Sequence, residues 1–155
     1  MFISLLHREI SMFSKACEYG IRASIYIAEQ SHLNRKVGLK EVSDAIESPA
    51  AYTSKILQLL SRHKVIKSDK GPTGGFSMDK KGFDTIKLST IVEAIDGNDI
   101  YMGCGLGLSN CNERQPCPLH NHFKSIRNEL KMMLENTTIK SLAEDFEKGL
   151  TFLKR

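Results

Sequence analysis

Three of the four cysteines in this 155-residue chain lie close together and could form a metal site. Cys104, Cys111 and Cys117 are separated by six and then five residues, and His120 follows after two more. Thiolates and imidazole are ligands of soft metal centres, so the set suits an iron–sulfur cluster and a tetrahedral zinc ion equally well. Loop cysteines without a cofactor can have the same spacing. The spacing predicts a cysteine site and leaves its occupant open.

The segment that carries the cysteines, residues 99–118, has no helical or strand periodicity and is rich in glycine. A long irregular loop requires a reason to be ordered, and ligation would supply one. The loop follows a predicted helix that Ser89 caps and Asp96 and Gly97 close, and that should pack on the first helix of the chain. Any occupant of the loop would therefore lie between two predicted helices.

The second of these helices runs from Leu119 to about Asn136 and has a coiled-coil pattern of apolar residues. The steps alternate between four and three, and the seam consists of Leu119, Phe123, Ile126, Leu130 and Met133. Such a seam requires a partner helix, so we expect a homodimer. A short final helix from Ile139 should cover a core edge with Leu142, Phe146 and Leu150.

Residues 48–78 predict a helix followed by a β-hairpin. Ser48 is a good N-cap and Pro49 suits the first helical position. The expected apolar stripe of this helix consists of Tyr52, Ile56, Leu59 and Leu60. Strands are predicted at 65–68 and 76–78, on either side of the glycine-rich run 71–75.

The positive charge of the chain is concentrated in the same region. Residues 49–81 contain seven basic and two acidic residues, against 15 and 16 in the rest of the chain. A basic hairpin beside a helix with a small, polar outer face suits double-stranded DNA, although a solvated basic face is the alternative. The predicted DNA contacts are Ala51, Tyr52, Thr53, Ser54, Lys55, Lys67, Lys70 and Thr73.

The N-terminal half should complete a helix-turn-helix. A first helix is predicted from a Ser14 cap to about Gln30, with Cys17 as a small buried hydrophobe. A short helix over 37–46 would pair with the helix after Pro49. Lys80, Lys81 and Gly82 indicate a break after the hairpin.

Other classes of protein find little support. No run of about 18 apolar residues indicates a membrane span, and the first residues lack the features of a signal peptide, so we expect a cytoplasmic protein without membrane contact. There is no Cys-x-x-Cys pair, phosphate loop or Ser/His/Asp set, which argues against an enzyme. Residues 1–11 are expected to be an N-terminal extension or loosely ordered arm.

Taken together, these motifs resemble the IscR and NsrR family of bacterial winged-helix transcriptional regulators. The resemblance covers about residues 12–143 and depends on the order of four features: the helix-turn-helix, the wing sequence Gly71-Pro72-Thr73-Gly74-Gly75-Phe76, the helix Ile91-Val92-Glu93-Ala94-Ile95-Asp96, and Cys117-Pro118-Leu119-His120. It implies a mainly α fold with a small β-hairpin wing and a long C-terminal dimerisation helix. The corresponding units are an N-terminal extension (1–11), a winged helix-turn-helix domain (12–98), a sensor loop (99–118), and the dimerisation and C-terminal helices (119–155).

The resemblance also implies a function. A homodimer would bind a palindromic promoter site, most often as a repressor, and a two-iron or four-iron cluster on Cys104, Cys111 and Cys117 would sense iron, redox state or nitric oxide. His120 or Glu18 would be the fourth ligand, and a cysteine desulfurase or cluster-assembly protein would be a partner. The alternatives of zinc, no cofactor, and a regulator that responds to a small ligand or protein stay open.

Overall fold

A long first helix, α1 (Lys15–His32), lies at the centre of the fold, and most of the other helices pack against it. The computed structural model describes residues 12–149 and 151–153. The predicted extension at 1–11 and the predicted core contact of Leu150 lie outside the described residues. Ser14 caps α1 as predicted, because its hydroxyl accepts a hydrogen bond from the backbone N–H of Cys17 at 3.1 Å.

The other described elements follow in chain order: α2 (Leu39–Ile46), α3 (Ala50–Arg62), β1 (Lys67–Asp69), β2 (Gly75–Ser77), α4 (Lys80–Thr85), α5 (Leu88–Asp96), α6 (Asp99–Met102), α7 (His120–Asn136) and α8 (Ile139–Glu147).

Both helices of the helix-turn-helix begin later than the sequence predicts. α2 begins at Leu39, because Val37 instead pairs with Phe76 in the wing. α3 begins at Ala50, with Pro49 in the cap position. The predicted cap, Ser48, is buried, and its hydroxyl has no hydrogen-bond partner within the described part of the chain. The Ser48 prediction is therefore wrong by one residue.

The buried stripe of α3 also differs from the predicted one. It consists of Thr53, Ile56, Leu57 and Leu60. Tyr52 is 37% exposed and Leu59 is only half-buried, so both lie at the edge of the stripe. The stripe packs with Ala23 and Ile27 of α1 in the main core.

The wing is a short hairpin joined by a third segment of chain. β1 and β2 are antiparallel in the register Lys67 to Ser77, Ser68 to Phe76 and Asp69 to Gly75. The backbone N–H of Val37 donates to the carbonyl of Phe76 at 3.0 Å, and the reverse bond measures 2.8 Å. Val65 and Ile66, which the sequence places in the first strand, precede it and are buried in the core.

The tip of the wing requires glycine. Gly71 has a φ of 97°, and its carbonyl accepts a hydrogen bond from the N–H of Gly74 at 2.9 Å. A Cβ atom on Gly74 would lie 2.3 Å from the carbonyl oxygen of Asp69. The tight turn therefore excludes any side chain at Gly74 unless the backbone shifts.

The segment after the wing is a helix, where the sequence predicts a break. Asp79 caps α4, and Phe83 anchors it in the core. α5 begins at Leu88, so the predicted cap Ser89 lies in its first turn and is buried. Gly97, with a φ of 74°, ends α5 as predicted.

The last helix packs with the helix-turn-helix. Before it, the N–H of Leu88 donates to Thr137 at 2.8 Å and that of Ile139 donates to Ile86 at 3.0 Å. Ile139 and Ala143 of α8 are buried in the core that contains α1 and α3. The domain boundaries at 98 and 118 stay predictions, but α8 joins the N-terminal core in space.

The described residues form eight helices and one two-stranded antiparallel sheet. This confirms the predicted class, mainly α with a small β-hairpin wing. Within residues 12–149 and 151–153, no helix is long and apolar enough to cross a membrane.

Candidate functional site

The first turns of α3 and the wing together present the predicted DNA-contact residues. Ala51 and Lys55 are exposed on α3, and Ser54 is half-buried. Lys70 and Thr73 are exposed at the wing tip. These five side chains therefore lie at the surface in a helix and a hairpin that a duplex could contact together.

Thr53 is a correction to the predicted DNA contacts. Its side chain is fully buried, and its hydroxyl donates to the carbonyl of Pro49 at 3.1 Å. The sequence assigned it to the outer face because the stripe was placed on Tyr52. Thr53 belongs to the core and its hydroxyl is already bonded, so its side chain is not exposed on the outer face where the sequence placed it.

Tyr52 is held in place by α1. Its ring meets that of Tyr19 edge to face, with centroids 5.8 Å apart. The guanidinium of Arg22 lies 4.6 Å from the centroid of the Tyr19 ring. Sequence reasoning missed Tyr19 and Arg22, although their spacing of three places them on one face of α1.

Ion pairs hold the base of the wing. Lys67 pairs with Asp79 at 2.9 Å, and Lys36, which the sequence did not single out, pairs with Asp69 at 2.7 Å. The hydrogen bond to Asp79 raises the pKa of Lys67, and the hydrogen bond from Lys36 lowers the pKa of Asp69. The charge of Lys67 is thus balanced locally, whereas Lys70 lies beyond these pairs at the tip.

The cysteine loop brings its predicted ligands together in part. His120, at the start of α7, is buried, and its Nδ1 lies 3.4 Å from the Sγ of Cys111. Cys104 and Cys117 are half-buried. The pKa of Cys104 is below its usual value because of hydrogen bonds from the N–H groups of Leu106 and Leu108, then Cys117 and the charge of Arg127.

The chemistry of this donor set fits a soft metal centre, since three thiols and an imidazole share one glycine-rich loop and helix start. These side chains are linked in two pairs: Cys111 contacts His120, and Cys117 lies near enough to Cys104 to lower its pKa. Across the described ranges, no three His, Cys, Asp or Glu side chains converge on one metal-binding point. Ligation by all four residues would therefore require the two pairs to approach each other.

The alternative fourth ligand, Glu18, and the remaining cysteine, Cys17, lie on α1. Glu18 is in the first turn, where its carboxylate lies 3.1 Å from the ammonium of Lys15. Cys17 is fully buried among Leu88, Val92 and Leu134, and burial raises its pKa to about 12. Cys17 is therefore an uncharged core residue, as predicted.

The predicted seam of α7 divides between two faces. Phe123 lies against the cysteine loop at Gly105, and Leu130 packs with the buried Leu134. The remaining residues form an exposed stripe at intervals of seven, with exposures of 39% for Leu119, 60% for Ile126 and 45% for Met133. α7 therefore uses one face for its own chain and leaves a neighbouring apolar face in solvent.

Comparison with known proteins then identifies the family. The model of the Rrf2 family, described as an iron-dependent transcriptional regulator, matches residues 13–145. The chain belongs to the Rrf2 family. It is 30% identical over 141 residues to an HTH-type transcriptional regulator of Aquifex aeolicus, across 90% of this chain and 96% of that one. It is 24% identical over 129 residues to the regulator IscR of Vibrio vulnificus, across 83% and 75% of the two chains.

Solved structures share the fold of this Rrf2 protein. CymR, the global cysteine regulator of Bacillus subtilis, superposes with a TM-score of 0.70 at 20% identity, over 87% of this chain and 98% of that one. IscR of T. potens superposes with a TM-score of 0.70 at 16% identity, over 92% and 93%. The Rrf2 protein is a DNA-binding transcriptional regulator, so the prediction of a regulator and not an enzyme is confirmed.

Proposed function

We propose that this Rrf2 regulator binds a palindromic DNA site as a homodimer and senses iron, redox state or nitric oxide through its three-cysteine loop. The observation that carries the proposal is the contact of the loop with α7, where Cys111 lies 3.4 Å from His120. The loop thus contacts the same helix that carries the exposed apolar stripe. As a regulator of bacterial DNA, the protein would act in the cytoplasm.

DNA binding is supported by the exposed residues of α3 and the wing. Ala51, Ser54 and Lys55 would approach base edges or nearby phosphates, and Tyr52 would set the position of the helix through Tyr19. The wing would contact phosphates through Lys67 and Lys70, with Thr73 beside them. Lys67 would have to leave Asp79 to bind phosphate, so Lys70 should contribute more.

Dimer formation is supported by the exposed stripe of α7. Leu119, Ile126 and Met133 repeat at seven residues, which is the spacing that keeps side chains on one seam between two helices. A twofold dimer would place two copies of α3 in successive major grooves of one DNA face. The operator should therefore be a palindrome whose half-sites are about one duplex turn apart, or a multiple of it.

A cofactor in the loop would be held by Cys104, Cys111 and Cys117, with His120 or Glu18 as the fourth ligand. A two-iron or four-iron cluster would supply redox chemistry and reactivity with nitric oxide, and a cysteine desulfurase or cluster-assembly protein would load it. Residues 99–102 of the predicted loop form α6, so the irregular part that carries the cysteines lies between α6 and α7. Binding would order this segment, which costs about 1–2 kcal/mol per residue to fix. This ordering can favour one arrangement of the DNA-reading domains.

A visible absorption spectrum of protein purified without oxygen tests the cofactor. We expect a brown chromophore with iron and inorganic sulfide, lost in a triple variant with Cys104→Ala, Cys111→Ala and Cys117→Ala. Cys17→Ala is the matched control, since Cys17 is a fully buried core residue and is not one of the predicted ligands, and it should keep the chromophore. Colourless protein with one zinc per chain would contradict the cluster and support a zinc site in its place.

A second candidate is a regulator without a cofactor that responds to a small ligand or protein. It is favoured by the pairing of the potential ligands, which do not converge as a group of three within the described residues. Colourless protein without iron or zinc that still binds DNA would support this candidate and contradict the cluster.

A further inference from the structure

Arg127 of α7 connects two parts of the cysteine loop. One terminal nitrogen of its guanidinium donates to the carbonyl of Gly103, and the other donates to the Sγ of Cys111 at 3.3 Å. Gly103 directly precedes Cys104 in the chain. One rigid fork of N–H donors therefore reaches the backbone beside the first cysteine and the sulfur of the second.

The other contacts between α7 and the loop each involve a single loop residue. The ring of Phe123 covers Gly105 so closely that a Cβ atom there would lie 2.4 Å from it. Lys124 pairs with Glu113, but their side chains are 45% and 68% exposed, and exposed ion pairs contribute little. Arg127 is half-buried and contacts a cysteine sulfur directly, so its hydrogen bonds are better placed to fix the loop.

We propose that Arg127 is a positioning residue of the cysteine site, which holds Cys111 and the backbone before Cys104 against α7. The assignment of a metal or cluster to the site rests on the proposed function, whereas the contacts themselves do not. Outer contacts orient ligands, and hydrogen bonds to cysteine sulfurs tune bound metals. Arg127 would also tie the loop to the helix that carries the exposed stripe.

Two variants of Arg127 and one control test this role. Arg127→Met removes the fork and the charge, and Arg127→Lys keeps the charge but not the fork. Lys124→Met removes the neighbouring ion pair without touching a cysteine. Hydrogen exchange of peptides covering 103–111 would be measured in metal-free protein, and Co²⁺ titration would follow thiolate-to-cobalt absorption.

Arg127→Met should speed exchange over 103–111 and weaken Co²⁺ binding by about 10- to 100-fold, as loss of an outer contact typically does. Arg127→Lys should recover part of both effects, and Lys124→Met should resemble the unmodified protein. The proposal is overturned if Arg127→Met leaves both measurements unchanged, or if Lys124→Met has an equal effect. Faster exchange in Arg127→Met, in a protein that assembles no cluster, would support the positioning role and contradict only the proposed sensor.

Discussion

Replacing Ile126 by glutamate tests whether the exposed stripe of α7 is the dimer interface. Ile126 is 60% exposed in the single chain. Full burial of an isoleucine side chain contributes about 1.5–3 kcal/mol, so burying its exposed part contributes roughly 1–2 kcal/mol in each protomer. A twofold interface contains the residue twice, for a total of roughly 2–4 kcal/mol. The dimer dissociation constant should then rise about 30- to 700-fold.

Sedimentation across a range of protein concentrations measures this constant. Ser125→Glu is the control, because Ser125 is exposed on the same helix but lies off the stripe. Both variants should fold normally, as judged by circular dichroism and thermal unfolding. An unchanged dimer in Ile126→Glu, or equal weakening in Ser125→Glu, would refute the assignment of the interface to this stripe.

Three further substitutions test the DNA-reading surface. Lys70→Ala should weaken DNA binding and reduce the slope of log K against log salt by about 0.9, the value for one phosphate contact; an unchanged slope in a salt titration would remove Lys70 from the interface. Thr53→Val should lower the free energy of unfolding by about 0.5–1.5 kcal/mol through loss of its hydrogen bond, while DNA affinity stays within about twofold. A large loss of DNA affinity with unchanged stability would instead show that Thr53 contacts DNA. Gly74→Ala should weaken binding because its Cβ would meet the carbonyl of Asp69 at 2.3 Å, whereas Gly38→Ala, with nothing within 4 Å, should not; equal affinities in a gel-shift assay would mean that the wing tip tolerates a side chain.

The sequence predicts elements well where one local signal decides the structure. Ser14 has a short hydroxyl side chain directly before a long apolar pattern, and it caps α1 as expected. Gly97 ends α5 because the backbone there has a positive φ, which favours glycine. The glycines of the wing tip were identified for a positive φ and for close backbone approach, and Gly71 and Gly74 respectively confirm these two requirements.

Predictions fail where tertiary packing decides between two local choices. Ser48 and Pro49 both offer a start for α3, and burial of Ser48 moves the start by one residue. Thr53 and Tyr52 compete for the buried stripe, and the small Thr53 is fully buried while Tyr52 contacts Tyr19 at the edge of the stripe. Amphipathic spacing alone does not distinguish these arrangements.

The periodicity of the sequence does not reveal residues whose partners lie in an irregular loop. From the sequence, Arg127 is expected to be a polar residue on the surface of a helix. Its partners Gly103 and Cys111 are 24 and 16 residues earlier in the chain, beyond the reach of any helical spacing. Phe123 and Leu130 were assigned to a dimer seam because they fit the alternation of four and three residues, and no pattern in the loop indicates that it contacts Phe123. The cysteine spacing predicts a site, but only the fold shows which face of α7 contacts the loop.

DNA affinity with and without the cofactor is the most direct test of the account. Anaerobically reconstituted and cofactor-free protein would be titrated onto one palindromic promoter fragment at fixed salt, with the triple cysteine variant as the control. The account predicts dissociation constants that differ by about tenfold or more, a coupling of about 1.4 kcal/mol, and a triple variant that behaves as cofactor-free protein in either preparation. Equal affinities for the two forms would contradict the claim that the cysteine loop controls DNA binding.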